Sequence, residues 1–201
     1  MAQYGLPVSD VVTGATQCAG DGNATMWEEL DEGFGAGRGT GSGPDDTTTY
    51  WNGNSNDTGR ASNQMRCALG ALTDPVSSTG HIIRSRNVKL SVCTASASGV
   101  QIDLTVVLLQ GTTDIASTTF ANLSSSWVTT SYTLSGSEAD SITNYADLKI
   151  ENYKTDVGGG AGRRVGWSAG ELEIPDTVIP SIYGRPFGRL GQSGMQQILI
   201  R

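Results

Sequence analysis

The stretch VQIDLTVVLLQ, residues 100–110, constrains the fold more than any other. Val100, Ile102, Leu104, Val106 and Leu108 alternate on one face. The other face starts polar, with Gln101, Asp103 and Thr105, and turns apolar at Val107 and Leu109. Period-two alternation marks a strand, and the change on the second face predicts one half exposed at one end and covered on both sides at the other. Its neighbours read the same way. HIIRSRNVKLSVC (His81 to Cys93) is rich in β-branched residues, and TDIASTTF (Thr113 to Phe120) follows a turn at Gln110-Gly111. SWVTTSYTL (Ser126 to Leu134) puts Val128, Thr130, Tyr132 and Leu134 on one face. Leu148 to Tyr153 and Arg163 to Pro175 complete the set, the latter with Val165 and Trp167 alternating and Pro175 as its stop. Between them, Ser137, Glu138 and Asp140 predict one helical turn, pinned to the sheet by Ile142 and Tyr145. Strands recurring about every 10–15 residues predict an all-β fold: an antiparallel β-sandwich or jelly-roll body with extended N- and C-terminal arms. Trp127 and Trp167 are expected in its core.

Composition agrees. The 201 residues include 27 Gly, 21 Ser and 22 Thr, with 37% hydrophobic and 16% charged residues, a balance that favours turns and strands over helices. Three regions are expected. Residues 1–60 read as an acidic, irregular arm with loops packing on the body, 61–176 as the sandwich, and 177–201 as an extended arm ending in a strand. In the first region, GFGAGRGTGSGPDD (Gly33 to Asp46) can hold no packed core of its own. It is flanked by MWEELDE and DDTTTYW, read as short strands or ordered turns. Trp27 and Trp51 would anchor this arm to the body or, failing that, form a sugar-stacking platform.

The net charge of -7 is carried by residues 1–60, which hold nine acids and only Arg38 and Arg60. After Asp176 there are three arginines and no acid. Oppositely charged ends can steer contacts between subunits, or be merely solvated. An acidic chain without a basic patch argues against nucleic acid as a partner. No stretch approaches the roughly 20 apolar residues of a membrane span, and MAQYGLPVSD lacks the regions of a secretory signal. The three cysteines, Cys18, Cys67 and Cys93, match neither a disulfide framework nor a zinc site, so free thiols from a reducing cytoplasm are expected.

No enzyme is expected. His81 is the single histidine, and no nucleophile elbow, zinc-protease motif or phosphate loop is present. Glu171 and Glu173 share a strand face, read as solvated or as an interface. Asp21-Gly22-Asn23 and Asp45-Asp46 do not complete a calcium loop. No cofactor or metal is expected.

One set of spaced residues has a wider meaning. It comprises Trp27 with Leu30-Asp31-Glu32, Asp45-Asp46 with Tyr50, and His81 with Arg84 and Arg86. It continues through the hairpin Leu108 to Ser117, then Trp127, Leu134, Glu138, Ile142, Tyr145, Asp147-Leu148, and Trp167 to Pro175. Over roughly residues 25–176 this resembles β-sandwich proteins encoded among the structural genes of tailed bacteriophages. The resemblance implies a virion component, most simply a capsid decoration or cement protein assembled in the host cytoplasm. It implies the major capsid protein and other copies of the chain, as a homotrimer, for partners, with no nucleic acid and no membrane. A tail, neck or fibre component and a carbohydrate-binding module are the alternatives. The arm after Pro180 lies outside the pattern. Its Arg185, Phe187, Arg189, Leu190, Met195, Ile198, Leu199 and Ile200 are the expected intersubunit or capsid contacts, the last three in a strand donated to a neighbour.

Overall fold

A computed structural model describes residues 2–13, 15–19, 25–35, 43–44, 50–53, 60–92, 95–96, 101–156 and 164–177. In chain order the strands are β1 (Ala2–Gly5), β2 (Pro7–Thr13), β3 (Ala15–Ala19), β4 (Tyr50–Gly53), β5 (Met65–Leu69) and β6 (Ile82–Val92). They continue as β7 (Ala95–Ser96), β8 (Ile102–Gln110), β9 (Thr113–Phe120), β10 (Val128–Thr133), β11 (Leu148–Asp156) and β12 (Arg164–Pro175). The described helices are short: a 3₁₀ turn at Trp27–Glu29, α1 at Arg60–Asn63 and α2 at Gly136–Asp140. None is long and apolar enough to cross a membrane.

Two antiparallel sheets form a β-sandwich. One runs β10-β6-β12-β4-β3, with β1 also on β12 and β7 on β6, and the other runs β2-β5-β11-β8-β9. The core lies between them, built from Met65, Cys67, Ile83, Leu104, Val106, Leu108, Ile150, Trp167, Leu172 and Ile174 among others. The reading of residues 100–110 is borne out: in β8, Asp103 stays half-exposed, whereas Val107 and Leu109 are as buried as the inward face. Strand β11 shows why the chain stays in register. Along its length it pairs β8 from Leu148↔Gln110 to Asp156↔Ile102, and on its other edge it pairs β5. A one-residue slip would drive Ile150 outward and Glu151 into the core.

The first 19 residues depart from the irregular reading. β1 pairs the end of β12 (Ala2↔Pro175), and after Leu6 the chain crosses to the other sheet, where β2 pairs β5. The pairing of β2 is broken by two register shifts, Pro7/Ser9 and Asp10/Val12, so no period-two alternation survives in the sequence. MWEELDE is an ordered turn. The Asp10 carboxylate accepts from the backbone N–H groups of Met26 (2.9 Å) and Trp27 (2.8 Å), and Met26 and Leu30 enter the core. Trp27 packs partly buried against that core, as an anchor.

Trp167 is fully buried, as expected, and donates from Nε1 to the Ala169 carbonyl (2.7 Å). Trp127 is not in the inter-sheet core. It lies half-buried against Val88 and Leu90, a separate cluster on the outer face of the β6/β12 sheet. The reason is Gly166. A Cβ there would stand 2.8 Å from Val88 and 3.1 Å from Trp127 Cη2, so its absence leaves a recess in which the indole lies.

Candidate interaction site

At one end of the sandwich, three sequence-distant segments converge: residues 73–81, α2 with the turn after it, and the end of β12. Helix α2 starts at Ser135 because of a capping box. Ser135 Oγ accepts from the Glu138 N–H (3.3 Å), and the Glu138 carboxylate accepts from the Ser135 N–H (2.7 Å). Tyr132 on β10 also donates to this carboxylate (3.0 Å), tying the helix to the sheet. Burial would raise the Glu138 pKa, but the bonds from Ser135 and Tyr132 outweigh it and hold it below the usual carboxylate range. After the helix, Ile142 and Tyr145 are buried as expected, and Gln110 fixes the turn by accepting from the N–H groups of Thr143 and Asn144 (both 2.8 Å).

His81 is fully buried beneath this end, its Nε2 2.8 Å from Tyr145 Oη. Burial lowers its pKa, against the Thr79 carbonyl, Asp74 and Asp140, which favour the charged ring. Its Nδ1 is buried without a hydrogen-bond partner among the described residues. The Tyr145 hydroxyl is pushed up to about 12 by burial and by the same two carboxylates. At neutral pH the result is an uncharged pair inside the fold, and His81 is a packing and hydrogen-bonding residue.

Above the pair lies a cleft of about 230 Å³. One wall is the loop Asp74–Ser78, and the other is Ala139, Asp140, Ile142 and Tyr145. Asp74 shapes the loop by accepting from the Val76 N–H (2.8 Å). Val76 is held at φ 58°, costly for a β-branched residue, and is 92% exposed at the rim. Among the described residues, neither Asp74 nor Asp140 forms an ion pair. The chain's two described ends meet beside this loop. Gln3 Nε2 donates to the carbonyls of Thr73 (2.9 Å) and Pro175 (3.3 Å), and a Cβ on Gly80 would stand 3.1 Å from Pro175 Cγ.

The outer faces of the sheets carry charge. Glu151 on β11 is fully buried between Arg60 (2.5 Å) and Arg66, and Arg60 reaches on to Asp114 of β9 (2.5 and 2.6 Å). The Glu171/Glu173 pair is not a solvated face. Glu171 is fully buried, Arg84 of β6 bridges it (2.9 Å) to Glu173 (2.5 Å), and the Phe34 N–H donates to it (3.3 Å). The covering chain comes from the 25–35 segment, which strand spacing does not reveal. Cys67 is buried and unpaired, its thiol pushed well up by burial and then by Asp10, which makes it unreactive.

Several expected residues lie outside the described ones: Arg185, Phe187, Arg189, Leu190, Met195, Ile198, Leu199 and Ile200, the acids at 21 and 45–46, and Cys93. The cleft itself was missed. Its walls come from residues 74–78 and 139–145, loops without periodicity, and the one local signal was the S-x-x-E capping pattern at Ser135.

No family model and no curated protein matches the chain. Among solved structures it matches part of a chain in the structure of infectious bursal disease virus Gt strain. The identity is 17% and the TM-score 0.32, covering 70% of this chain and 34% of that one. The chain spans about a third of that neighbour's length, and a likeness this weak carries no argument about function.

Proposed function

We propose that this chain is a structural protein of a virion: a decoration (cement) protein of a tailed bacteriophage that binds the outer head and is not an enzyme. The observation that carries this reading is the use made of the spaced residues that resemble phage structural proteins. Tyr145 holds His81, Arg84 bridges Glu171 and Glu173, Glu138 closes the capping box, and Trp167 fills the core. These polar members of the pattern are taken up in holding the two sheets and their connections together, which supports a scaffold role over a reaction centre. In this reading the major capsid protein and other copies of the chain, as a trimer, are the partners, and the arm from Thr177 to Arg201 makes the contacts. The arm is arginine-bearing, free of acid, and β-prone at its end.

A chain ending at Asp176 tests this. It should melt within a few degrees of the full chain, because among the described residues the last strand of either sheet, β12, ends at Pro175. It should also lose trimerisation and binding to the parent particle. Unfolding of the truncated chain, or undiminished particle binding, would refute the arm's role. Copy number per purified particle separates the head from the neck: hundreds against about a dozen.

A further inference from the structure

We infer that the cleft beneath Val76 is the dock for the chain's own C-terminal arm, and that it receives Arg185, Phe187 and Arg189. This deepens the arm reading above by naming where the arm rests in the free subunit.

Three observations carry it. The first is pattern. The cleft offers a carboxylate from each wall, Asp74 and Asp140, with the apolar side chains of Val76 and Ile142 beside them. In the arm, the sequence Arg185-Pro186-Phe187-Gly188-Arg189 alternates. Pro186 favours extended backbone, and an extended segment puts residues 185, 187 and 189 on one face. A face of cation, aromatic ring and cation meets a cleft with a carboxylate on each wall and the exposed Val76 side chain at its rim. The second is charge. Among the described residues Asp74 and Asp140 have no ionic partner, and their joint field reaches both Tyr145 and His81 beneath. Arginine on a carboxylate gives the strongest of the ordinary charge-assisted hydrogen bonds. The third is position. The body ends beside this loop, where Gln3 joins the Thr73 and Pro175 carbonyls. From Thr177 to Arg185 is a reach of up to roughly 27 Å, ample for a cleft at the same end of the sandwich. So short a tether gives the arm an effective concentration of about millimolar, which a second copy does not match in dilute solution. Docking of residues 185–189 leaves Gln196 to Arg201 available to a neighbour, so the dock and the donated strand are compatible.

The test is tryptic cleavage of the full chain at the Arg189–Leu190 bond, followed by mass spectrometry. The Arg185 bond is blocked by Pro186, so the readout is a single event. A peptide of residues 178–201 serves as the unprotected reference. The bond in the full chain should be cut about tenfold more slowly than in the peptide, at a relative rate independent of protein concentration. D74N/D140N keeps the amide oxygen that shapes the loop but removes the charge. It should abolish the protection, as should high salt. Phe187→Ala, set against a peptide carrying the same change, should lower the protection without touching the body, which guards against a misfolded cleft variant. Equal cleavage of chain and peptide, or protection unchanged in D74N/D140N, overturns the inference. Protection that rises with protein concentration also overturns it, because the occupant is then a second copy's arm. The readout uses the isolated chain, so its failure is separate from a failure to bind particles.

Discussion

Trp167 and Trp127 stand on opposite sides of one sheet. Both come from alternating β-prone runs, yet one is fully buried between the sheets and the other half-buried outside. Two glycines four residues apart on β12, on either side of the register shift between Trp167 and Ala169, decide this. Gly170 lets the Trp167 ring lie flat inside, where an added Cβ would stand 2.9 Å from Cζ2. Gly166 opens the recess outside that Trp127 fills. Alternation therefore shows that two residues face different sides, while the side that holds the core is set by what packs across from each. Inside, Trp167 shares the core cluster with Ile150 of the second sheet; outside, Trp127 packs on Val88 and Leu90 of the neighbouring strand.

The comparison breaks most sharply at Trp167. Replacing it by Ala should cost about 3–5 kcal/mol in urea unfolding, as large core truncations do, since both sheets lose their common contact. A loss below about 1 kcal/mol would place the indole on a surface and undo the contrast.

The outer recess should respond less and in a coupled way. Trp127→Ala removes a half-buried ring and should cost about 1–2 kcal/mol. Gly166→Ala forces a methyl against the stiff Val88 side chain and the Trp127 ring, at about 1–3 kcal/mol. In the Trp127→Ala background the second change should cost measurably less, because one of the three obstructing side chains is gone. Strict additivity of the two changes would mean that the ring does not occupy the recess.

Much of the sandwich is legible in the sequence, for a physical reason. Strands such as β8 and β9 bury one face against a distant layer, so their patterning survives whatever pairs with them. Thr113–Phe120 is bounded as the sequence reading places it, and β12 stops at Pro175. The helical turn around Glu138 is legible because it is local, although its N-cap is Ser135, two residues before the Ser137 expected to start it. What escapes is whatever depends on contacts across the chain. β2 hides behind its bulges, the burial of Glu171 depends on the segment reaching Phe34, and the cleft is made by two aperiodic loops. The tail residues read as the contact site fall outside the described residues, so that reading passes into the proposal.

The last contrast between inside and outside is their response to acid. Trp167 sits in the apolar core cluster with Ile83, Ile150 and Leu172, so the penalty of Trp167→Ala should be flat with pH. The outer face of the second sheet differs. Asp114 accepts two hydrogen bonds from Arg60, whose guanidinium holds the carboxyl below its usual range, partly opposed by burial. A folded-state pKa below the unfolded value near about 4 stabilises the fold at higher pH, and the gain disappears as pH falls through the folded value. Asp114→Asn should therefore be less stable than the parent at neutral pH and converge with it in acid. The gap should be small, below about 1 kcal/mol, because the Asp114 side chain is 42% exposed and salt screens the pair. Urea titrations of both proteins at neutral pH and near pH 2–3 measure it. A gap that persists or widens in acid would show that Asp114 stabilises the strand by some means other than its charge.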